Sequence, residues 1–224
     1  MSQDLLLSSG FLAFARHAGV VQAIEEMDVP IDAVVGTSSG ALIGALWAAG
    51  MPATQIATWV GARRPLSFLR PHLRPWDGVF RLDPLMSWLT EHLPARFEDL
   101  QRPFAVGVIG PGRVPRLITS GPLVPAVAAS CAIPYLFRPV EHEGVRYQDG
   151  GVADRLMLAP WRAWRGQRAA LAHIIDRTAG VDAPADLSGV RVLRSPRSGA
   201  TFWSLGDVPA AVEDARVRAL GAFG

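Results

Sequence analysis

Ile31-Asp32-Ala33-Val34-Val35-Gly36-Thr37-Ser38-Ser39-Gly40-Ala41-Leu42-Ile43-Gly44-Ala45-Leu46-Trp47 decides how this chain is read. The first five residues are, apart from Asp32, apolar and largely β-branched, as a buried strand requires. The last seven are apolar throughout, with helix formers and no proline. Between them lies G-x-S-x-G, spanning Gly36 to Gly40. In a strand–turn–helix setting this pattern makes a nucleophile elbow. The glycines let strand and helix backbones approach, and Ser38 is forced onto a strained turn with its hydroxyl presented. The helix behind it aims N–H groups toward the place where an oxyanion would form.

In a chain with 22 glycines the pentapeptide alone is weak, so the rest of the sequence must support it. Residues 33–62 carry no charge, and Gly36, Gly40 and Gly44 have the spacing of packed membrane helices. Thr37-Ser38-Ser39, Gly50 and Pro52 interrupt that stretch, and a buried strand followed by a helix accounts for it better than a membrane span.

Upstream, Leu5 to Ser8 reads as a strand, Ser9-Gly10 as a turn, and 13–27 as a helix. Downstream, helices are expected at 40–49, 53–62 and from Asp83 through Leu93, with Asp83 as N-cap and Pro84 at the first helical position. Strands are expected at 104–109, 116–119, 145–148, 172–176 and 190–193, the last two separated by a polar loop. A helix at 123–129 and a final helix capped by Asp207, with Val208, Val212, Ala215 and Ala219 on one face, complete the reading. The βαβα opening argues for an α/β fold with three layers, α/β/α, around a mostly parallel central sheet. Residues 1–224 are read as one domain. The stretch 63–81, rich in arginine and proline and interleaved with Phe68, Trp76 and Phe80, has no periodicity and is expected to be an irregular surface loop.

Composition narrows the chemistry. All 22 basic residues are arginine, so mechanisms that need a catalytic lysine are excluded. A net charge of +2 does not point to nucleic acid. Cys131 is the only cysteine, which rules out an intramolecular disulfide. His17, His72, His92, His142 and His173 show no zinc-ligand spacing. The N-terminus lacks a basic region and a long apolar run, so a cytoplasmic protein is expected.

A serine hydroxyl is a poor nucleophile without a base. Asp149 ends a predicted strand and is followed by Gly150-Gly151, at the carboxyl end of a sheet where such sites form. The elbow, then Ala129-Ser130-Cys131-Ala132-Ile133-Pro134, then Asp149-Gly150-Gly151, in that order, closely resemble the patatin-like phospholipase family. The similarity covers most of residues 5–155. The resemblance implies a Ser38–Asp149 dyad without histidine, metal or cofactor, cleaving fatty-acyl esters through an acyl-enzyme. It marks Ser130 and Pro134 as family hallmarks, and implies an oxyanion hole from the N–H groups of Gly10 and Phe11.

The family's glycine-rich oxyanion run departs here to Ser9-Gly10-Phe11-Leu12-Ala13-Phe14, with Ala13 at the usual basic position and Arg16 read as an ordinary surface arginine. This departure supports an alternative, an impaired relative that binds lipid or a partner protein. A Ser38-Asp149-His173 esterase triad is a further alternative. The partners implied are a lipid or acyl-ester substrate and, through the 63–81 loop, peripheral contact with an anionic membrane.

Overall fold

The computed structural model describes residues 2–176 and 186–223. The chain runs β1 (Gln3–Leu7), α1 (Phe14–Glu26), β2 (Ile31–Thr37), α2 (Ser39–Ala48), α3 (Ala53–Gly61), β3 (Arg70–Pro71), β4 (Phe80–Arg81), α4 (Asp83–Thr90), β5 (Phe104–Ile109) and β6 (Pro115–Ile118). It continues with α5 (Leu123–Ser130), β7 (Val140–His142), β8 (Val145–Asp149), α6 (Leu158–Arg165), β9 (Ala170–Ile175), β10 (Val190–Ser195) and α7 (Val208–Phe223). The polar loop expected before β10 falls largely on 177–185, outside the described residues.

The main sheet has the order β10-β9-β1-β2-β5-β8-β7, with β6 also on β5. From β10 to β5 every pairing is parallel; β6, β8 and β7 join antiparallel. The sheet is therefore mixed and mostly parallel at its centre. Its strands obey the period of two. Leu5, Leu7, Val34, Phe104, Val106 and Val108 face one core, whereas Leu6, Val35 and Ala105 face the other. The first core lies under α1, α2, α3, α4, α5 and α7. The second is smaller and is covered by α6 through Leu158 and Trp161. The layers are three, as expected, but lopsided. Asp4, buried on the smaller side, accepts hydrogen bonds from Trp161 Nε1 at 2.9 Å and Arg165 Nε at 3.0 Å, so its charge is paired rather than stranded.

Several local expectations need correction. Asp83 lies inside α4 rather than capping it: the helix takes in the Leu82 carbonyl, which accepts from the Met86 N–H at 2.9 Å, and the Asp83 carboxylate meets Arg81 at 2.8 Å. That helix also ends at Thr90, short of Leu93. The 63–81 stretch is not irregular throughout: β3 and β4 form a short antiparallel ladder, flanked by 3-10 turns at Pro65–Phe68 and Pro75–Asp77. Phe68 packs edge-on against Trp88 at 5.5 Å, and Phe80 packs on Phe137 at 6.4 Å. Of the three aromatics expected at an interface, only Trp76 is exposed. Arg16 is not a surface arginine either. Its side chain is 13% exposed and forms an ion pair with Asp214 of α7. Asp207 does cap α7, accepting from the Ala210 N–H at 3.0 Å. No helix among the described residues is long and apolar enough to cross a membrane.

Candidate functional site

Ser38 sits between β2 and α2 with φ 55° and ψ −119°, a conformation that costs a non-glycine residue free energy and persists only where its surroundings enforce it. The enforcement is visible. A Cβ on Gly36 would meet the Gly40 carbonyl, and one on Gly40 would meet the carbonyl of Leu7 at the end of β1. The Ser38 N–H donates to Ser130 Oγ at 2.8 Å, and that hydroxyl donates in turn to the Gly107 carbonyl at 2.7 Å. Ser130 thus pins the strained turn to β5.

Asp149 reaches the same place through strand pairing. β5 pairs with β2 as far as Gly107 and with β8 through Val108 and Ile109, Val108 opposite Asp149. β8 therefore delivers its last residue just beyond the carboxyl end of β2. The Asp149 N–H donates to Ala132 O at 2.9 Å. Its carboxylate accepts from the Gly151 N–H at 2.7 Å. Burial pushes the Asp149 pKa up to about 6, against the opposing pull of the Ser38 hydroxyl and the Gly151 N–H. A carboxyl group titrating there is a far better base near neutrality than an ordinary aspartate. Gly150 and Gly151 are required for packing: a Cβ would strike Met157 at the first and Ser9 at the second. Pro134 lies in the turn after α5. Burial pushes the neighbouring Cys131 thiol up, with the Asp149 charge adding to it.

Opposite the elbow runs the Ser9–Phe11 turn. The N–H groups of Gly10 and Phe11 have no acceptor among the described residues, and both residues line a polar cleft together with Ser38 and Asp149. The turn is gripped by Arg155, which no motif indicated. Its carbonyl accepts from the Ser9 N–H at 3.1 Å. Its guanidinium donates to Ser9 O at 2.7 Å and to the carbonyl of Ile175. Arg155 follows the D-G-G element by only a few residues, but nothing in the sequence says which way it turns. Arg16 is too occupied by Asp214 to serve here.

His173 does not complete a triad. It is buried, with Nδ1 at 2.9 Å from His17 Nδ1 and Nε2 at 3.0 Å from Ser195 Oγ. Burial first, then the neighbouring His17 and Arg16, hold its pKa well below the usual histidine range; burial also lowers His17, to about 3. Both ring nitrogens of His173 are engaged away from Ser38.

Two cavities meet at Ser38. One, about 90 Å³, is apolar and is lined by Phe11, Leu42, Trp59, Phe68, Trp88 and Ile133 among others. The second, about 460 Å³, is polar and includes Ser9, Gly10, Arg155, Asp176 and Arg197. Among the described residues no group of three or more His, Cys, Asp or Glu is placed to hold a metal ion.

Residues 5–160 match the family model of the patatin-like phospholipases. An uncharacterized NTE family protein of Mycobacterium tuberculosis is 32% identical over 163 residues, 70% of this chain and 44% of that protein. Lysophospholipase NTE1 of Mycosarcoma maydis is 31% identical over 169 residues, 70% of this chain and 9% of that protein. The chain thus spans less than half the length of either relative. Among solved structures, VipD from Legionella pneumophila shares the fold with a TM-score of 0.64 at 14% identity, over 98% of this chain and 66% of that one. ExoU of Pseudomonas aeruginosa, solved with SpcU, gives 0.60 at 13% identity, over 99% and 52%.

Proposed function

We propose that this chain, which belongs to the patatin-like phospholipase family, is a lipid acyl hydrolase that works through Ser38 and Asp149. The observation that carries the reading is a buried carboxyl group, raised to about pKa 6, beside a serine held at positive φ. The acyl chain occupies the apolar cavity, the alcohol part of the ester lies in the polar cleft, and the scissile carbonyl sits where the two meet.

Asp149 takes the Ser38 proton as Oγ attacks the acyl carbon. The carbonyl oxygen becomes an oxyanion, held by the N–H groups of Gly10 and Phe11. The tetrahedral intermediate collapses, and Asp149 returns the proton to the departing alkoxide. A water molecule then attacks the acyl-enzyme, giving its proton to Asp149, and the fatty acid leaves as Ser38 recovers its hydrogen. The name lysophospholipase on a relative favours a one-chain phospholipid as the ester.

Hydrolysis of a p-nitrophenyl acyl ester, together with labelling by a fluorophosphonate probe, tests this. Ser38→Ala and Asp149→Asn are each expected to lose hydrolysis while keeping the circular dichroism of the parent. Absence of labelling in the parent chain would favour the impaired-relative reading, which rests on the altered Ser9–Phe14 segment. Full activity in either variant would overturn the dyad.

A further inference from the structure

Between α3 and α4 the arginine-rich segment forms a second concave surface that ester chemistry does not use. Arg70, His72, Arg74, Arg81 and Arg138 surround a cleft of about 470 Å³, with Asp77 as the carboxylate in its lining. That carboxylate is already held. Arg146 donates to it at 2.5 Å and the Arg138 guanidinium lies 3.5 Å away, which keeps Asp77 below the usual carboxylate range. Arg81 is paired with Asp83. Arg70 and Arg74 are exposed and have no carboxylate partner among the described residues. Two guanidinium groups without a carboxylate partner, on a concave wall whose carboxylate is already held by other arginines, suit a phosphate oxyanion.

What decides the source of that phosphate is the apolar surface beside it. Leu73 is 94% exposed and Trp76 82%, both within the same segment. Tyr135, 83% exposed, stands close by in the chain to Leu136 and Arg138, which β4 binds through Phe80 N–H to Leu136 O and Arg138 N–H to Phe80 O, each at 2.9 Å. A dissolved phosphate ester has no use for exposed leucine and tryptophan. A bilayer does, because an anionic headgroup layer lies directly over an apolar interior. The same segment enters the wall of the apolar cavity at Phe68 and Leu69 on one side and at Leu82 on the other. Docking here would bring that cavity to the lipid surface.

We propose that the cleft of Arg70, His72, Arg74 and Arg138 is a docking site for phosphate headgroups of an anionic bilayer, with Leu73 and Trp76 entering the acyl layer. The proposal deepens the lipid-hydrolase reading and takes its biological sense from it, but its measurement is separate. Sedimentation of the full chain is compared with vesicles of phosphatidylcholine alone and of phosphatidylcholine mixed with phosphatidylglycerol. Binding is expected on the mixed vesicles, declining with salt. It should weaken on the order of thirtyfold in Arg70→Gln/Arg74→Gln and also in Leu73→Ser/Trp76→Ser. Both pairs should turn over soluble p-nitrophenyl acetate like the parent. A parent chain that binds mixed vesicles but hydrolyses nothing supports docking and overturns only the hydrolase reading. Equal sedimentation with the two vesicle kinds, or unchanged binding in Arg70→Gln/Arg74→Gln, overturns the docking site. Displacement by inorganic phosphate with no effect of Leu73→Ser/Trp76→Ser also overturns it, and assigns the cleft to a soluble phosphate.

Discussion

The turn that carries Ser38 takes its shape from its own glycines and the backbone of β1 next door, with the Ser130 hydroxyl pinning it to β5, whereas the Ser9–Phe11 turn that faces it is gripped by a side chain distant in sequence. In the first, Gly36 and Gly40 approach Gly40 O and Leu7 O so closely that no side chain fits. In the second, Arg155 lies 146 residues from the serine it grips. The steric part of the first constraint is marked by a five-residue pattern, Gly36 to Gly40. The other is a set of charge-assisted hydrogen bonds, whose partner can be replaced without any change in the turn's own sequence. On the proposed mechanism, this is how the turn can lose its glycine-rich run and its usual basic residue and still leave the Gly10 and Phe11 N–H groups unpaired in the cleft that Ser38 lines.

The contrast makes graded demands on experiment. Gly40→Ala should be the most damaging change, because its methyl group has only the Leu7 backbone to displace; little soluble folded protein is expected on expression, and a well-folded, active Gly40→Ala would show that the elbow tolerates rearrangement. Arg155→Gln should fold, with kcat lowered on the order of a hundredfold, the scale of one lost oxyanion donor, and KM changed far less. Arg155→Lys, which keeps the charge but not the fork, should recover only part of the loss. A fall in KM affinity alone would assign Arg155 to substrate binding and leave the turn without its proposed tether.

Acid should act on the elbow side. Asp149 must be ionised to accept a proton, so kcat/KM should fall about tenfold per pH unit below its pKa of about 6. Stability runs the opposite way for this group. Its folded pKa exceeds the unfolded one, so the folded state holds the extra proton between about pH 4 and 6 and its stabilising effect is lost as pH rises through that window. Asp149→Asn should therefore melt a few degrees higher than the parent above pH 6, at roughly 2–4 °C per kcal/mol for a chain of this size. An unchanged midpoint would mean the carboxylate is better solvated than its burial implies.

The parts legible in the sequence were those set by neighbours in the chain. The βαβα opening, with Leu5–Ser8 and Ile31–Val35 as its strands, argues for the mostly parallel sheet, and the family resemblance marks Ser38, Ser130 and Asp149, which the fold brings together. What could not be read depended on side-chain direction over long separations. Phe68 and Phe80 resemble Trp76 in sequence context, yet they turn inward onto Trp88 and Phe137. Arg16 and Asp214 lie at opposite ends of the chain, and only the packing of α1 on α7 joins them. Asp83 had a capping residue's surroundings, yet the helix begins one residue earlier, at the Leu82 carbonyl, and the Asp83 carboxylate meets Arg81 instead. His173 stood in the right order for a triad, but burial beside His17 gave its ring other partners.

One feature of α2 reaches beyond catalysis. All ten of its residues are buried, so this helix has no wet face on which polar variation is free. A lineage diverging from this sequence can rewrite the 70–76 surface almost at will while Ser39 to Ala48 stays nearly frozen, since a charge at any of those positions would have to be buried. New specificity in this scaffold is therefore expected to arise around the serine, from the cleft walls and the outer loops, while the helix behind it remains a fixed post.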